Sequence, residues 1–251
     1  MKTFNRTAFL QKPSAILIDL DDTLYAYGPA HKKAMMAVQY LMERQFKIPE
    51  KQFQDMFAVS RETVKLTLGK SPSARSRLLY FQTMFEIMGL GSSVVSALNC
   101  EQTYWNTLMR NAVLFDGVRD FLDEARLNSI PLVLVTNLTA QVQFQKLVYF
   151  GLSESFDFIL TSEQIGVEKP APQIFQAAEA KIGKKADAYW MVGDDLKCDI
   201  DGAKKALGCI TIAKQNERSE KQIRLSGCDA MFDDYSQLTK MLNKLSSHDH
   251  K

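Results

Sequence analysis

Apolar residues follow three patterns along this chain. The first is a short unbroken run, Ala15-Ile16-Leu17-Ile18, that drives into Asp19-Leu20-Asp21-Asp22-Thr23. A strand buried on both faces of a parallel sheet reads this way. The second pattern fills Pro29 to about Arg110. Met35, Met36, Val38, Leu41 and Met42 recur at helical spacing, then Phe53, Met56, Phe57, Val64 and Leu68, and a third helix is predicted over Ser73–Met88 from Leu78, Leu79, Phe81, Met84, Phe85 and Met88. A fourth helix is predicted over Val94–Met109, and no strand pattern interrupts the block. From Leu114 onward the third pattern alternates. Strands are predicted at Pro131–Thr136, Phe156–Leu160, Tyr189–Val192, Cys209–Ile212 and Ala230–Phe232, and helices at Val118–Leu127, Thr139–Phe150, Pro172–Ile182, Leu196–Leu207 and Tyr235–Leu245.

Strict β/α alternation implies an α/β fold with a doubly wound parallel sheet. The helical block interrupts it as an insert. The expected division is an α/β core of residues 1–27 and 112–251 around an all-helical domain of residues 28–111. The Met and aromatic stripes of the insert read as packing, not as a cofactor box.

Composition narrows the class little. The chain has 251 residues, 46% hydrophobic and 24% charged, with a formal net charge of +2. That balance argues against a nucleic-acid or acidic-surface partner. Cys100, Cys198, Cys209 and Cys228 form no C-x-x-C pair and read as reduced thiols. His31, His248 and His250 are too dispersed for a zinc site, and the tail from Ser246 reads as frayed and solvated. The polar start carries no signal-peptide pattern and no run is long enough for a membrane span, so no membrane and a cytoplasmic location are expected.

The chemistry sits where strands end, as it does in open α/β sheets. Asp19 and Asp21 leave the first strand together, and crowded carboxylates there call for a hard cation. Thr136-Asn137 closes the second strand, where a hydroxyl and backbone N–H groups can cradle an anion. Gly166-Val167-Glu168-Lys169-Pro170-Ala171-Pro172 fixes the backbone beyond Lys169 with two prolines, which aims one ammonium. Gly193-Asp194-Asp195 follows another apolar run, and Asp199 and Asp201 come soon after, more acids than helix capping requires.

In that order the four segments resemble the motifs of the haloacid dehalogenase-like superfamily, on the side of its metal-dependent phosphatases. The likeness extends to Phe115-Asp116-Gly117-Val118 and to Lys169-Pro-x-Pro-x-Ile-Phe175, and the insert is similar to the helical cap of subclass I. The resemblance implies a Mg²⁺-dependent phosphomonoester hydrolase acting on a small phosphorylated metabolite, a nucleoside monophosphate or a sugar phosphate. It implies Asp19 as nucleophile forming an aspartyl-phosphate, Asp21 as general acid and base, and Lys169 as the fixed charge. It further implies Thr136 and Asn137 on the phosphoryl group, and Asp19, the Asp21 carbonyl and Asp194 on the metal. Asp199 is expected as an indirect metal partner and Asp195 near Lys169 or water, with the choice between these two acids open. Asp22 reads as a turn residue and Asp201 as surface. Tyr25, Tyr27 and Gly28 read as a hinge, a substrate contact or packing, and His31, Arg75 and Arg77 as a solvated helix face. A phosphosugar mutase, a 2-haloacid dehalogenase and a non-catalytic binding scaffold are the alternatives.

Overall fold

A computed structural model describes residues 1–183, 188–216 and 218–246. The tail histidines His248 and His250 lie outside the described residues. The chain divides into two compact units, Met1–Ala26 with Val113–Lys251, and Tyr27–Ala112.

The first unit opens with β1 (Lys2–Thr3) and β2 (Ala15–Ile18). All four residues of β2 are fully buried, which is why the run is apolar without alternation. Each large side chain there contributes about 1.5–3 kcal/mol by leaving water.

The second unit is helical: α1 (Tyr27–Phe46), α2 (Glu50–Leu68), α3 (Arg77–Ile87) and α4 (Val94–Asn111). Ala30, Ala34, Val38 and Met42 line one buried face of α1 at every fourth residue, and Ala97, Cys100, Tyr104, Trp105 and Leu108 are buried on α4. Small residues on both faces admit close helix packing. Phe57 bridges α2 to α3 through the rings of Tyr80 and Phe81, at centroid distances of 6.0 and 5.5 Å. The third helix is shorter at its start than its apolar pattern predicts. Pro72–Arg75 forms a 3-10 turn, and Ser76 begins a new helix by accepting a hydrogen bond from the Leu79 N–H at 3.3 Å.

The first unit resumes with α5 (Val118–Leu127), β3 (Leu132–Thr136), α6 (Ala140–Tyr149), β4 (Phe158–Thr161), α7 (Ser162–Ile165), α8 (Pro172–Ile182) and β5 (Tyr189–Gly193). It ends with α9 (Gly202–Leu207), β6 (Ile210–Lys214), α10 (Glu220–Leu225), β7 (Ala230–Phe232) and α11 (Tyr235–Ser246). Seven strands form one sheet in the order β1-β7-β6-β5-β2-β3-β4. Every described pairing is parallel except β1 with β7, a two-residue antiparallel edge too short and polar to read as a strand. Leu17, Val133, Val135 and Met191 pack on one face of the sheet with Ile174, Phe175 and Ala178 of α8. On the helices α5 and α11, Phe121 meets Tyr235 at 5.6 Å.

Two departures from the predicted elements have local causes. Leu196–Asp201 is a π-turn rather than the first part of an α-helix. The Asp195 side chain caps the Lys197 and Cys198 N–H groups, and the Ile200 N–H reaches back to the Asp195 carbonyl at 3.2 Å. Such widened turns favour functional sites. Helix α10 carries a capping box between Ser219 and Gln222, a signal the hydrophobic pattern alone passes over. The four cysteines are free thiols. Among the described residues no helix is long and apolar enough to cross a membrane.

Candidate active site

The chain winds from β2 to β3 and β4 on one side, then returns to β5, β6 and β7 on the other. The reversal puts a topological switch point beside β2, where open sheets bind ligands at their carboxyl ends. Ile18 is in register with Val192 and with Leu134, and the Asp19 N–H donates to the Val192 carbonyl at 3.0 Å. Asp19, Thr136 and Asp194 therefore leave adjacent strands at one edge.

Lys169 is the hub. It is 4% exposed. Its Nζ lies 2.6 Å from Asp19 Oδ1, 2.7 Å from the Val135 carbonyl and 2.7 Å from Asp199 Oδ1. The last is an ion contact outside hydrogen-bond geometry, since Asp199 Oδ1 has no directed partner. Asn137 holds the lysine backbone from both sides. Its Oδ1 accepts from the Lys169 N–H at 2.8 Å, and its Nδ2 donates to the Lys169 carbonyl at 3.2 Å. Asp19 Oδ2 accepts from the Thr23 hydroxyl at 3.0 Å.

Asp19, Asp194 and Asp199 bring carboxylate oxygens within 4.8 Å of one another. Asp199 reaches the group because Gly193 lacks a side chain, for a Cβ there would lie 2.5 Å from Asp199 Cβ. The Asp195 N–H donates to Asp199 Oδ2 at 3.0 Å. Asp195 itself caps the π-turn, and the ion contact of Lys169 is with Asp199. Asp201 pairs with Lys205 on the surface.

Burial pushes the Asp19 carboxyl up to about 8, with the Lys169 ammonium opposing and the Asp199 and Asp194 charges adding. Asp194 is pushed up to about 7, first by burial and then by Asp199, against a hydrogen bond from Arg218. Lys169 is held above its ordinary value although burial works against it, because Asp19 and Asp199 flank it. The Lys169 ammonium and the Arg218 guanidinium, 3.2 Å from Asp194 Oδ2, face three crowded carboxylates and leave the group short of positive charge.

Asp21 stands apart from that group. Its Oδ1 accepts from Lys146 Nζ at 2.6 Å and from the Tyr25 hydroxyl, and its Oδ2 accepts from Gln143 Nε2 at 3.3 Å. Burial would raise its carboxyl, but the Lys146 charge and these hydrogen bonds outweigh it and hold the group below the usual range. Gln143 also donates to Thr136 Oγ1 at 2.5 Å and to the Asn137 carbonyl at 3.2 Å. Both α6 residues are fully buried.

Lys146, Gln143, Thr23 and Arg218 do not emerge from the pattern reading. Gln143 and Lys146 left a signal: two polar residues three apart on the face of α6 that also buries Val142 and Leu147. Arg218 left none, because its 2.5 Å hydrogen bond to the Asp194 carbonyl spans 24 positions. Tyr25 is buried against Phe150, ring centroids 5.0 Å apart, so packing and the bond to Asp21 define it. Arg75 is exposed. His31 and Arg77 are not. Both are partly buried, joined to Tyr27 and Tyr104 inside the helical unit, because α1, α3 and α4 turn those positions inward.

A sheet with this winding, and acids and one lysine at its switch point, defines a class of α/β hydrolase. The chain belongs to the haloacid dehalogenase-like hydrolase family, whose profile matches residues 13–206. It is 29% identical over 238 residues to the ribulose-1,5-bisphosphate 5-phosphatase of Halopiger xanaduensis, covering 92% of this chain and 99% of that one. It is 28% identical over 234 residues to the glyceraldehyde 3-phosphate phosphatase of Methanothermobacter thermautotrophicus, covering 91% and 99%. Among solved structures it shares its fold with the HAD-hydrolase YfnB of Bacillus subtilis bound to magnesium, at a TM-score of 0.69 and 22% identity over 93% of this chain and all of that one. A 2-haloacid dehalogenase from Pseudomonas syringae has the same fold, with a TM-score of 0.69 and 23% identity, covering 92% and 98%.

Proposed function

We propose that this chain is a Mg²⁺-dependent phosphomonoesterase that hydrolyses a small phosphorylated metabolite through an aspartyl-phosphate on Asp19. The observation that carries the reading is the buried group of Asp19, Asp194 and Asp199 around Lys169, with Asp21 beside it but not in it.

The donor set fits the ion. It offers only hard oxygen ligands, and burial, with the neighbouring Asp199 charge adding, raises the Asp19 and Asp194 carboxyls well above 3.8. Asp19, the Asp21 carbonyl and Asp194 would hold Mg²⁺, with Asp199 supporting them and bracing Lys169. When bound, the ion supplies the positive charge that lets an anionic carboxylate meet an anionic ester.

An Asp19 oxygen attacks phosphorus, the ester P–O bond breaks, and Asp21, having left Lys146 and taken up a proton from solvent, gives that proton to the departing alkoxide. Water then attacks the aspartyl-phosphate, Asp21 takes its proton, and the Asp19–phosphorus bond breaks to release phosphate. Lys169 holds Asp19 in place and offers its charge to the phosphoryl oxygens. Thr136 and backbone N–H groups near Asn137 orient the phosphoryl group, while the Asn137 side chain fixes Lys169. Asp21 is kept from the metal by Lys146, Tyr25 and Gln143, which reserves its carboxyl for moving protons. To donate, it has to leave Lys146.

The names of the relatives favour a sugar phosphate over a nucleoside monophosphate. Dehalogenation leaves the proton shuttle at Asp21 and the acids at Asp194 and Asp199 without a task. The helical unit is proposed to act as a cap that sets specificity. The test is phosphate release from para-nitrophenyl phosphate with Mg²⁺, with EDTA and in Asp19→Asn. Undiminished turnover in EDTA rejects the reading, as does metal-independent chloride release from a 2-haloacid with no phosphatase activity.

A further inference from the structure

The turn that follows Asp19 is held from the far end of the chain. Thr23 donates its hydroxyl to Asp19 Oδ2 at 3.0 Å, and Lys169 donates to Oδ1 at 2.6 Å, so these two bonds orient the carboxylate. Thr23 is itself fixed through both peptide groups that flank it. Asn216, two residues beyond β6, donates from Nδ2 to the Asp22 carbonyl at 2.8 Å. Tyr235, the first residue of α11, donates its hydroxyl to the Thr23 carbonyl at 2.8 Å. Asp22 has a φ of 60°, in the left-handed region that L residues seldom adopt. Such a conformation persists where the surroundings over-determine it.

A buried lysine joins the two arms. Lys214, the last residue of β6, is 5% exposed, and among the described residues it forms no ion pair. Its Nζ donates at 3.0 Å to the carbonyl of Gln215, next to Asn216, and at 3.0 Å to that of Asp233, two residues before Tyr235. Burial of an ammonium without a carboxylate is unfavourable, and here its bonds link the two segments that carry Asn216 and Tyr235. The Phe115-Asp116-Gly117 stretch serves both arms. The Phe115 ring lies 4.5 Å from Lys214 Nζ, and its N–H donates to the Leu24 carbonyl at 2.9 Å, just past Thr23. Gly117 leaves room for Tyr235, for a Cβ there would lie 3.2 Å from Tyr235 Cβ. Tyr235 is fully buried, with the ring centroids of Phe121 and Phe232 5.6 and 5.0 Å away, which fixes the aim of its hydroxyl. Every residue of this brace belongs to the α/β unit.

We infer that Asn216 and Tyr235, linked through Lys214, are positioning residues that fix the Asp19 carboxylate by acting through Thr23. The inference rests on the reading of Asp19 as nucleophile and metal ligand. Both residues act at one remove from the reacting atoms, and neither is assigned a step of the reaction.

The test is a set of double-mutant cycles on the full chain. Asn216→Ala and Tyr235→Phe are each expected to lower kcat for para-nitrophenyl phosphate about 10–100-fold, the range for an outer-shell partner, with KM little changed. Thr23→Val removes the hydroxyl through which both act. In that background each further change is expected to cost less than about threefold, the non-additivity of residues that share one route. The same cycles read by Mg²⁺ calorimetry, without substrate, are expected to show about tenfold weaker binding in each single variant and little further loss beside Thr23→Val. Tyr235→Phe keeps the ring packing and Asn216 is partly exposed, so Asn216→Ala keeps the test usable should Tyr235→Phe fail to fold. Single variants that match the wild type overturn the inference, and so do losses of equal size with and without the Thr23 hydroxyl. Turnover in EDTA reports separately on the phosphomonoesterase reading. If the wild type binds Mg²⁺ yet releases no phosphate, that reading fails and the calorimetric cycles decide the inference. A wild type that does neither overturns both.

Discussion

The two units of this chain handle buried charge in opposite ways. In the α/β unit, Lys169 is enclosed by two carboxylates and a third completes the group, so the site is short of positive charge. In the helical unit, Arg77 is surrounded by hydroxyls and aromatic faces, and no carboxylate pairs with it. A charge taken out of water is costly unless something pairs with it. The first unit therefore complements a cation, while the second stabilises its guanidinium through hydroxyls and aromatic faces.

The most severe way to test the acidic side is Asp19→Asn. Removing the nucleophile is expected to cost about 10⁴-fold or more in kcat. Residual turnover within tenfold of wild type would show that another group attacks. Asp21→Asn comes next, at about 10²–10⁴-fold, the range for losing a general acid. Because its carbonyl remains, Mg²⁺ affinity measured by calorimetry should stay within a few-fold of wild type. Loss of the metal in that variant would put the side chain, not the backbone, on the ion.

Metal removal probes the charge deficit directly. Asp19 and Asp194, raised to about 8 and about 7 from 3.8, bind protons more tightly folded than unfolded. The contribution of these two groups to metal-free stability is thus full below about pH 4 and declines as pH rises towards 8. Mg²⁺ competes with those protons, so its stabilisation should be larger at pH 8 than at pH 6. At a hundredfold excess over Kd it amounts to about 2.7 kcal/mol, or roughly 5–10 °C in Tm for a chain of this size. Equal shifts at the two pH values would mean that the titrating acids are not the ligands. The mildest change is Gly193→Ala. The added Cβ must displace Asp199, at a cost of about 1–3 kcal/mol from overpacking, together with weaker Mg²⁺ binding. A melt and a metal titration identical to wild type would show that Asp199 is free to move.

The sequence by itself determined the β/α alternation, the helical block and the four polar segments at strand ends. These are local signals: an unbroken apolar run such as Ala15–Ile18 has one economical fate, and carboxylates just beyond it have to lie at the sheet's edge. Tertiary structure alone decided the pairings. Lys146 reaches Asp21 across 125 positions and Lys169 reaches Asp19 across 150, distances at which no spacing rule operates. It also separated Asp199 from Asp195, since only the π-turn and the bare Cα of Gly193 show which acid folds back. The same limit explains Arg77. An arginine at a helix start reads as solvated from its neighbours in sequence, and only the packing of α1, α3 and α4 closes aromatic rings over it while bringing no acid. Burial and charge balance are properties of the assembled fold, which is why they stay hidden in the linear pattern.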